Sequence, residues 1–195
     1  MPFIEEYRRR GVISFAGMRS AAISLLPSNG MELDKLYHDL KRGTGILDDD
    51  AHLNMYLRCF GKMHQAKLNV GFDCFPGMAS IFEDELEIYD WGCGQGTATI
   101  CLLDYLKKKN ISHKICDISL IDPSKHATQR ACDVISCYSG APQIRQINKG
   151  FDDLASDDFE VSRRKKLHLF SNILDVEGFD LARFTLLFQK LFSGE

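Results

Sequence analysis

Apolar residues in the second half of this chain fall into short runs, and the segments between these runs show the 3.6-residue apolar spacing of a helix. Four runs predict buried strands, the third of them weakly: residues 87–90, 117–122, 143–148 and 166–175. Two intervening segments predict helices: residues 97–108 and 125–135. Strands that alternate with helices indicate an α/β fold with a parallel sheet.

The first part of the chain has a different pattern, and residues 1–80 are predicted to be mostly helical. The three aspartates at 48–50 can cap a helix that begins near Ala51. Apolar residues then recur on one face of that helix: Leu53, Leu57, Phe60 and Met63. We therefore predict a helical extension over residues 1–80 and an α/β core over residues 81–195.

A further helix is predicted after the fourth strand, within residues 178–192. Its apolar residues recur at helical spacing and form a stripe that should face the core: Leu181, Phe184, Leu187, Phe188 and Leu191.

The first strand is followed by three glycines at alternate positions, Gly92, Gly94 and Gly96. Such a turn lets a ligand approach the backbone closely, although a tight strand-to-helix turn without a ligand also favours glycine. A dinucleotide-binding G-x-G-x-x-G motif would need glycine where Thr97 stands. A phosphate-binding P-loop is excluded because the loop contains no lysine. The pattern therefore favours a ligand without phosphate.

Acidic residues stand at the carboxyl ends of the first two strands, Asp90 and Asp122. In an open α/β sheet this edge is where ligands bind. A carboxylate there can accept hydrogen bonds from both hydroxyls of a ribose. Asp122 is thus a candidate for binding an adenosine-containing ligand.

The acid followed by G-x-G-x-G resembles motif I of the class I S-adenosylmethionine (SAM) dependent methyltransferases, and the resemblance extends over residues 87–175. It implies a Rossmann-like sheet with SAM across the carboxyl ends of its strands. The glycine loop, with Cys93 as a small packing residue, would approach the methionine and ribose parts. Asp90 would fix the loop and meet the ammonium, and Asp122 would hold the ribose.

The resemblance also assigns residues in the two later loops. Phe151 and Asp152 would meet the adenine, with Asp152 preferred over Asp153, although either acid can be a solvated loop residue. Ser171 and Asn172 are the candidates for lining the methyl-transfer position.

The methyl acceptor is not identified by the sequence. The Asp/Asn-Pro-Pro-aromatic motif of amino-methylating nucleic-acid enzymes is replaced by Ser-Asn-Ile-Leu at 171–174, and no Pro-Cys pair supplies a cytosine-C5 nucleophile. Two alternatives stay open: a noncatalytic SAM-binding scaffold domain, and a nicotinamide-dependent oxidoreductase, which Thr97 disfavours.

A class I methyltransferase would continue with a fifth strand and a reversed pair, for which residues 176–195 offer no candidate. We therefore expect the sheet to be incomplete at its C-terminal end, as in a fragment of a longer protein. An uncovered sheet edge favours self-association or a partner protein.

Composition narrows the class of partner and the compartment. The net charge of −3 gives no general attraction to nucleic acid, and the chain has no apolar stretch of membrane-spanning length. Seven cysteines without a C-x-x-C pair predict reduced thiols in a cytoplasm and no metal site. Core or helix-surface roles are predicted for His52, Tyr56 and His64, with contact to a substrate as the alternative.

Overall fold

The computed structural model describes residues 2–41, 45–140, 142–160, 162–173 and 180–192. Within these residues the centre of the molecule is a four-stranded sheet in which every pairing is parallel, with the order β3-β2-β1-β4. The strands are β1 (Glu85–Trp91), β2 (Lys114–Ile121), β3 (Gln143–Ile147) and β4 (Lys165–Phe170).

This strand order is that of the first four strands of a doubly wound Rossmann sheet. The Rossmann-like α/β fold expected from the sequence is therefore confirmed. The weakest predicted strand, β3, forms as expected. The predicted fourth strand is too long, because β4 ends at Phe170; residues 174 and 175 of that prediction lie outside the described residues.

Helices connect the strands and cover both faces of the sheet. The helix after β1 has 13 residues and contains the predicted residues 97–108. The helix after β2 spans the predicted residues 125–135. The helices are α1 (Pro2–Arg9), α2 (Phe15–Ser24), α3 (Gly30–Asp39), α4 (Asp50–Cys59), α5 (Gly61–Cys74), α6 (Thr97–Lys109), α7 (Lys125–Ile135) and α8 (Leu181–Phe192).

The predicted helix from Ala51 is divided in two. Asp49 caps α4 by accepting a hydrogen bond from the backbone N–H of His52 at 2.9 Å, so a capping acid was correctly predicted. The helix is interrupted at Phe60, which ends α4 and precedes α5 and has a φ of −112°. Met63, in α5, is 46% exposed, so it does not belong to the buried face predicted with Leu57.

Strand β1 shows how the two faces of the sheet are built. Leu86 and Ile88 point into a large apolar cluster shared with α1, α2, α6 and α7. Tyr89 and Trp91 point to the opposite face, where the Trp91 indole N–H donates to His168 Nδ1 at 3.1 Å. This alternation follows the two-residue period of a strand. It places Asp90 on the first face, under the start of α6.

Helix α8 covers the second face of the sheet. Phe184 is buried there. The ring centroid of Phe188 lies 4.8 Å from that of His168 and 5.9 Å from that of Trp91. Leu187 and Leu191 also pack against this cluster, as predicted for a core-facing stripe, whereas Leu181 is 54% exposed. None of the described helices has both the length and the apolar character needed to cross a bilayer.

Candidate functional site

A cavity of about 400 Å³ opens at the carboxyl ends of the parallel strands. This volume is within the range of small-molecule sites. Its walls come from the loops after all four strands and from α4, α5 and the loop before α4. The position is the one at which open α/β sheets bind ligands.

Asp90 lies at the base of this cavity and is 1% exposed. Its Oδ2 accepts hydrogen bonds from the hydroxyl of Thr99 at 2.7 Å and from the backbone N–H of Thr99 at 3.2 Å. Its Oδ1 is buried without any hydrogen-bond partner among the described residues. Burial raises the pKa of Asp90 to about 7, and the charge of Asp122 acts in the same direction. An unsatisfied buried carboxylate oxygen of this kind costs free energy unless a ligand donates to it.

The three glycines of the loop all have positive φ, but they differ in their surroundings. A Cβ at Gly92 would lie 2.5 Å from Ile173 Cγ1, and one at Gly96 would lie 2.8 Å from the Cβ of Ala131. A Cβ at Gly94 would meet no atom within 4 Å. Gly92 and Gly96 are thus required by packing, whereas Gly94 leaves space beside the cavity.

Asp122 connects the second strand to the glycine loop. Its Oδ2 accepts from the backbone N–H of Gly94 and its Oδ1 from that of Ser124, both at 2.9 Å. Burial raises the pKa of Asp122, and these two N–H groups act against that rise. A carboxylate has about four acceptor positions, so two remain for a ligand.

A buried network fixes the glycine loop against α4. The guanidinium of Arg130, 1% exposed, donates to the carboxylate of Asp50 and to Oδ1 of Asn54 at 2.8 Å. It also reaches Gln95 Oε1 at 3.3 Å, while Gln95 Nε2 donates to the backbone carbonyl of Leu53 at 3.0 Å. Both the oxygen and the nitrogen of the Gln95 side-chain amide are therefore hydrogen-bonded, which fixes this residue of the loop.

The acidic turn after β3 forms a further wall of the cavity, through Phe151, Asp152 and Asp153. Asp152 Oδ1 accepts from the backbone N–H of Asp180 at 2.9 Å, which ties this turn to the start of α8. The ring of Phe151 packs 4.9 Å from that of Phe184. One carboxylate oxygen of Asp152 is thus occupied by the fold.

Four polar side chains meet where the loop after β4 faces α4 and α5. Ser171 and Asn172 come from the loop, Tyr56 from α4 and His64 from α5, and all four line the cavity. The ring of His64 stacks on that of Tyr56, with centroids 5.7 Å apart. The two residues come from consecutive helices on either side of Phe60.

The cavity therefore includes nine of the ten residues that the sequence analysis assigned to a site. Gly96 is the exception, because it packs against α7. Cys93 is among the nine, 6% exposed, and burial raises the pKa of its thiol well above the usual value. For Tyr56 and His64 a core or helix-surface role was predicted, with contact to a substrate as the alternative, and both line the cavity. His52 instead pairs with Asp49.

No protein-family model and no curated protein matches this chain. Among solved structures, it is similar to the plantazolicin methyltransferase BpumL in complex with SAH, at 17% identity and a TM-score of 0.36. The match covers 65% of this chain and 46% of that one, so the chain spans less than half of the BpumL chain. The description of the fold therefore rests on the strand order.

Proposed function

We propose that this chain binds SAM in the cavity and transfers its methyl group to an acceptor. The observation that carries the proposal is Oδ1 of Asp90, a buried carboxylate oxygen at the base of the cavity without a partner among the described residues. A ligand ammonium would satisfy this atom and neutralise its charge. Gly94 leaves free space beside it, where the backbone can approach the ligand.

The other end of the ligand would lie on Asp122. Its carboxylate keeps two acceptor positions after binding Gly94 and Ser124, which matches the two hydroxyls of a ribose. Adjacent strands are about 4.8 Å apart, so the ends of β1 and β2 present Asp90 and Asp122 to neighbouring parts of one ligand. Phe151 and Asp152 would then border the adenine.

The methyl transfer requires little from the protein beyond the alignment of SAM with the acceptor. SAM supplies a methyl group on a sulfonium, and the neutral thioether that leaves when the methyl is transferred is a good leaving group. The chain contributes a fixed orientation in a partly enclosed cavity, and such positioning is worth an effective molarity of order 10⁵ M or more. The acceptor would enter beside Ser171 and Asn172.

Calorimetry with SAM and with S-adenosylhomocysteine (SAH) tests the proposal. Wild type should bind both, and Asp90→Asn should bind SAH about 10- to 100-fold more weakly, because the ammonium then meets a neutral amide in place of a carboxylate. Asp73→Asn is the matched control, since the side chain of Asp73 is 54% exposed. Absence of SAH binding by folded wild type would refute the proposal.

Asp122 provides a second arm of the same experiment. Asp122→Ala should also weaken SAH binding about 10- to 100-fold, through the loss of hydrogen bonds to the ribose. It should lower stability as well, because the N–H groups of Gly94 and Ser124 lose their acceptor. SAH binding as tight as that of wild type would show that Asp122 does not hold the ribose.

A further inference from the structure

A chain of hydrogen bonds crosses the part of the cavity that lies between β4 and α5. The Lys67 ammonium is 3.5 Å from Asn172 Oδ1, and Asn172 Nδ2 contacts His64 Nδ1. His64 Nε2 is 3.2 Å from the hydroxyl of Tyr56. Asn172 adopts the left-handed conformation, with φ of 58°, which asparagine tolerates better than most residues. This backbone presents its amide to the chain.

The neighbours of Asn172 determine which way its amide points. An ammonium can only donate, so the atom facing Lys67 is the carbonyl oxygen. The amide nitrogen then faces two acceptors, Ser171 Oγ at 3.1 Å and His64 Nδ1. Reversal of the amide would place two donors, the amide nitrogen and the Lys67 ammonium, against each other.

This orientation selects one tautomer of His64. Nδ1 accepts from the amide nitrogen and is therefore unprotonated, so in the neutral ring the proton is on Nε2. Burial and the charge of Lys67 both lower the pKa of His64, which keeps the ring neutral. The Nε2–H group consequently donates to the oxygen of Tyr56.

The hydroxyl proton of Tyr56 is then left for another partner. Among the described residues this hydroxyl contacts only His64, which already acts as the donor. Burial raises the pKa of Tyr56 to about 12, so the phenol keeps its proton. Tyr56 lines the cavity and can donate that proton to a ligand. The chain thus ends in a donor, and His64 is unable to act as a base through Tyr56.

We propose that Tyr56, oriented by His64, Asn172 and Lys67, is an anion-recognising hydrogen-bond donor that binds a carboxylate in the cavity. Given the proposed function, two ligands can supply this group: the amino-acid part of SAM or SAH, and the methyl acceptor. An acceptor carboxylate needs no base. Its oxygen lone pair forms the new O–C bond, the electrons of the C–S bond remain on sulfur, and no proton is released.

Two nucleosides distinguish the sources. SAH carries the amino-acid carboxylate, and 5′-methylthioadenosine lacks it. If the cofactor supplies the carboxylate, Tyr56→Phe should weaken SAH binding about 10-fold or more and leave methylthioadenosine binding unchanged. Tyr37→Phe is the control, because Tyr37 is 52% exposed on α3. Equal weakening of both nucleosides would overturn the proposal, since the loss would then not depend on a carboxylate.

If the acceptor supplies the carboxylate, Tyr56→Phe should leave both nucleosides unchanged. Benzoate then serves as the probe, titrated into the SAH complex and followed by NMR. Benzoate should shift the ring signals of His64 in wild type and in Tyr37→Phe, with the response lost in Tyr56→Phe. Unchanged SAH affinity together with an identical benzoate response in all three proteins would overturn the proposal.

The His64 tautomer is tested separately by ¹⁵N NMR of the imidazole. Wild type should show the Nε2–H form. Asn172→Asp should shift the ring towards Nδ1–H, because a carboxylate accepts where the amide donated, and aspartate also tolerates positive φ. An Nδ1–H tautomer in wild type would overturn the proposal. If wild type binds neither nucleoside, the proposed function fails. The His64 tautomer and the binding of benzoate to the ligand-free protein still decide the role of Tyr56.

Discussion

Asp90 combines a role proposed in ligand binding with a pH-dependent contribution to stability. Its ordinary pKa is 3.8, and burial raises the folded-state pKa to about 7. Between about pH 4 and 7 the folded state therefore binds a proton at this site that the unfolded state has lost. The free energy of unfolding should fall as the pH rises through this window, by about 1.4 kcal/mol per unit at most.

Urea denaturation of wild type and Asp90→Asn at pH 4.5 and 7.5 measures this contribution. Because asparagine does not titrate, the stability of wild type relative to the variant should be lower at pH 7.5 by about 2 to 4 kcal/mol. Other carboxyl groups change in both proteins and cancel in the difference. A difference that is independent of pH would show that Asp90 is ionised in the folded state well below pH 7.

At the scale of single elements, two glycines of the loop after β1 differ in role. Gly96 is required for packing, and Gly94 is proposed to lie beside the ligand. Gly94 and Gly96 both have positive φ, so alanine is strained by about 1 kcal/mol at either position. At Gly96 the new methyl group would also lie 2.8 Å from Ala131 Cβ, whereas at Gly94 it would face open space. We expect Gly96→Ala to lose 2 kcal/mol or more of stability, as is typical of overpacking. Gly94→Ala should lose about 1 kcal/mol and a larger part of its SAH affinity. Thermal unfolding measures the stability of the two variants, and calorimetry measures their SAH affinity. Equal losses of stability and of SAH affinity in the two variants would contradict this prediction.

The same elements show what the sequence can predict. Strands β1 and β2, and the acids after their apolar runs, follow from local composition, and so does the position of the glycine turn. The extent of β4 does not, because its apolar pattern continues beyond Phe170, where pairing with β1 ends. Nor does the junction at Phe60, since the apolar spacing continues across the residue that ends α4. Tyr56 and His64 line the cavity because α4 and α5 face the loop after β4, a long-range contact that local spacing does not give, so the sequence favoured their structural role.

For the molecule as a whole, two N-terminal helices, α4 and α5, form walls of the cavity, while α1 and α2 pack into the core. Helices α1 and α2 share one apolar cluster with β1 and α6. Arg130 joins Asp50 and Asn54 of α4 to Gln95 of the glycine loop. The predicted boundary near residue 80, the cytoplasmic location and association at the β4 edge stay predictions. Among the described residues β4 pairs only with β1 and is therefore an edge strand, as is β3 on the other side of the sheet.

A crystal structure of the chain with SAH bound tests the central claim most directly. We predict the SAH ammonium nitrogen within about 3 Å of Asp90 Oδ1, the ordinary length of a charge-assisted hydrogen bond, and the ribose hydroxyls on the carboxylate of Asp122. SAH bound elsewhere, or bound in this cavity with Asp90 Oδ1 still lacking a donor, would contradict the account.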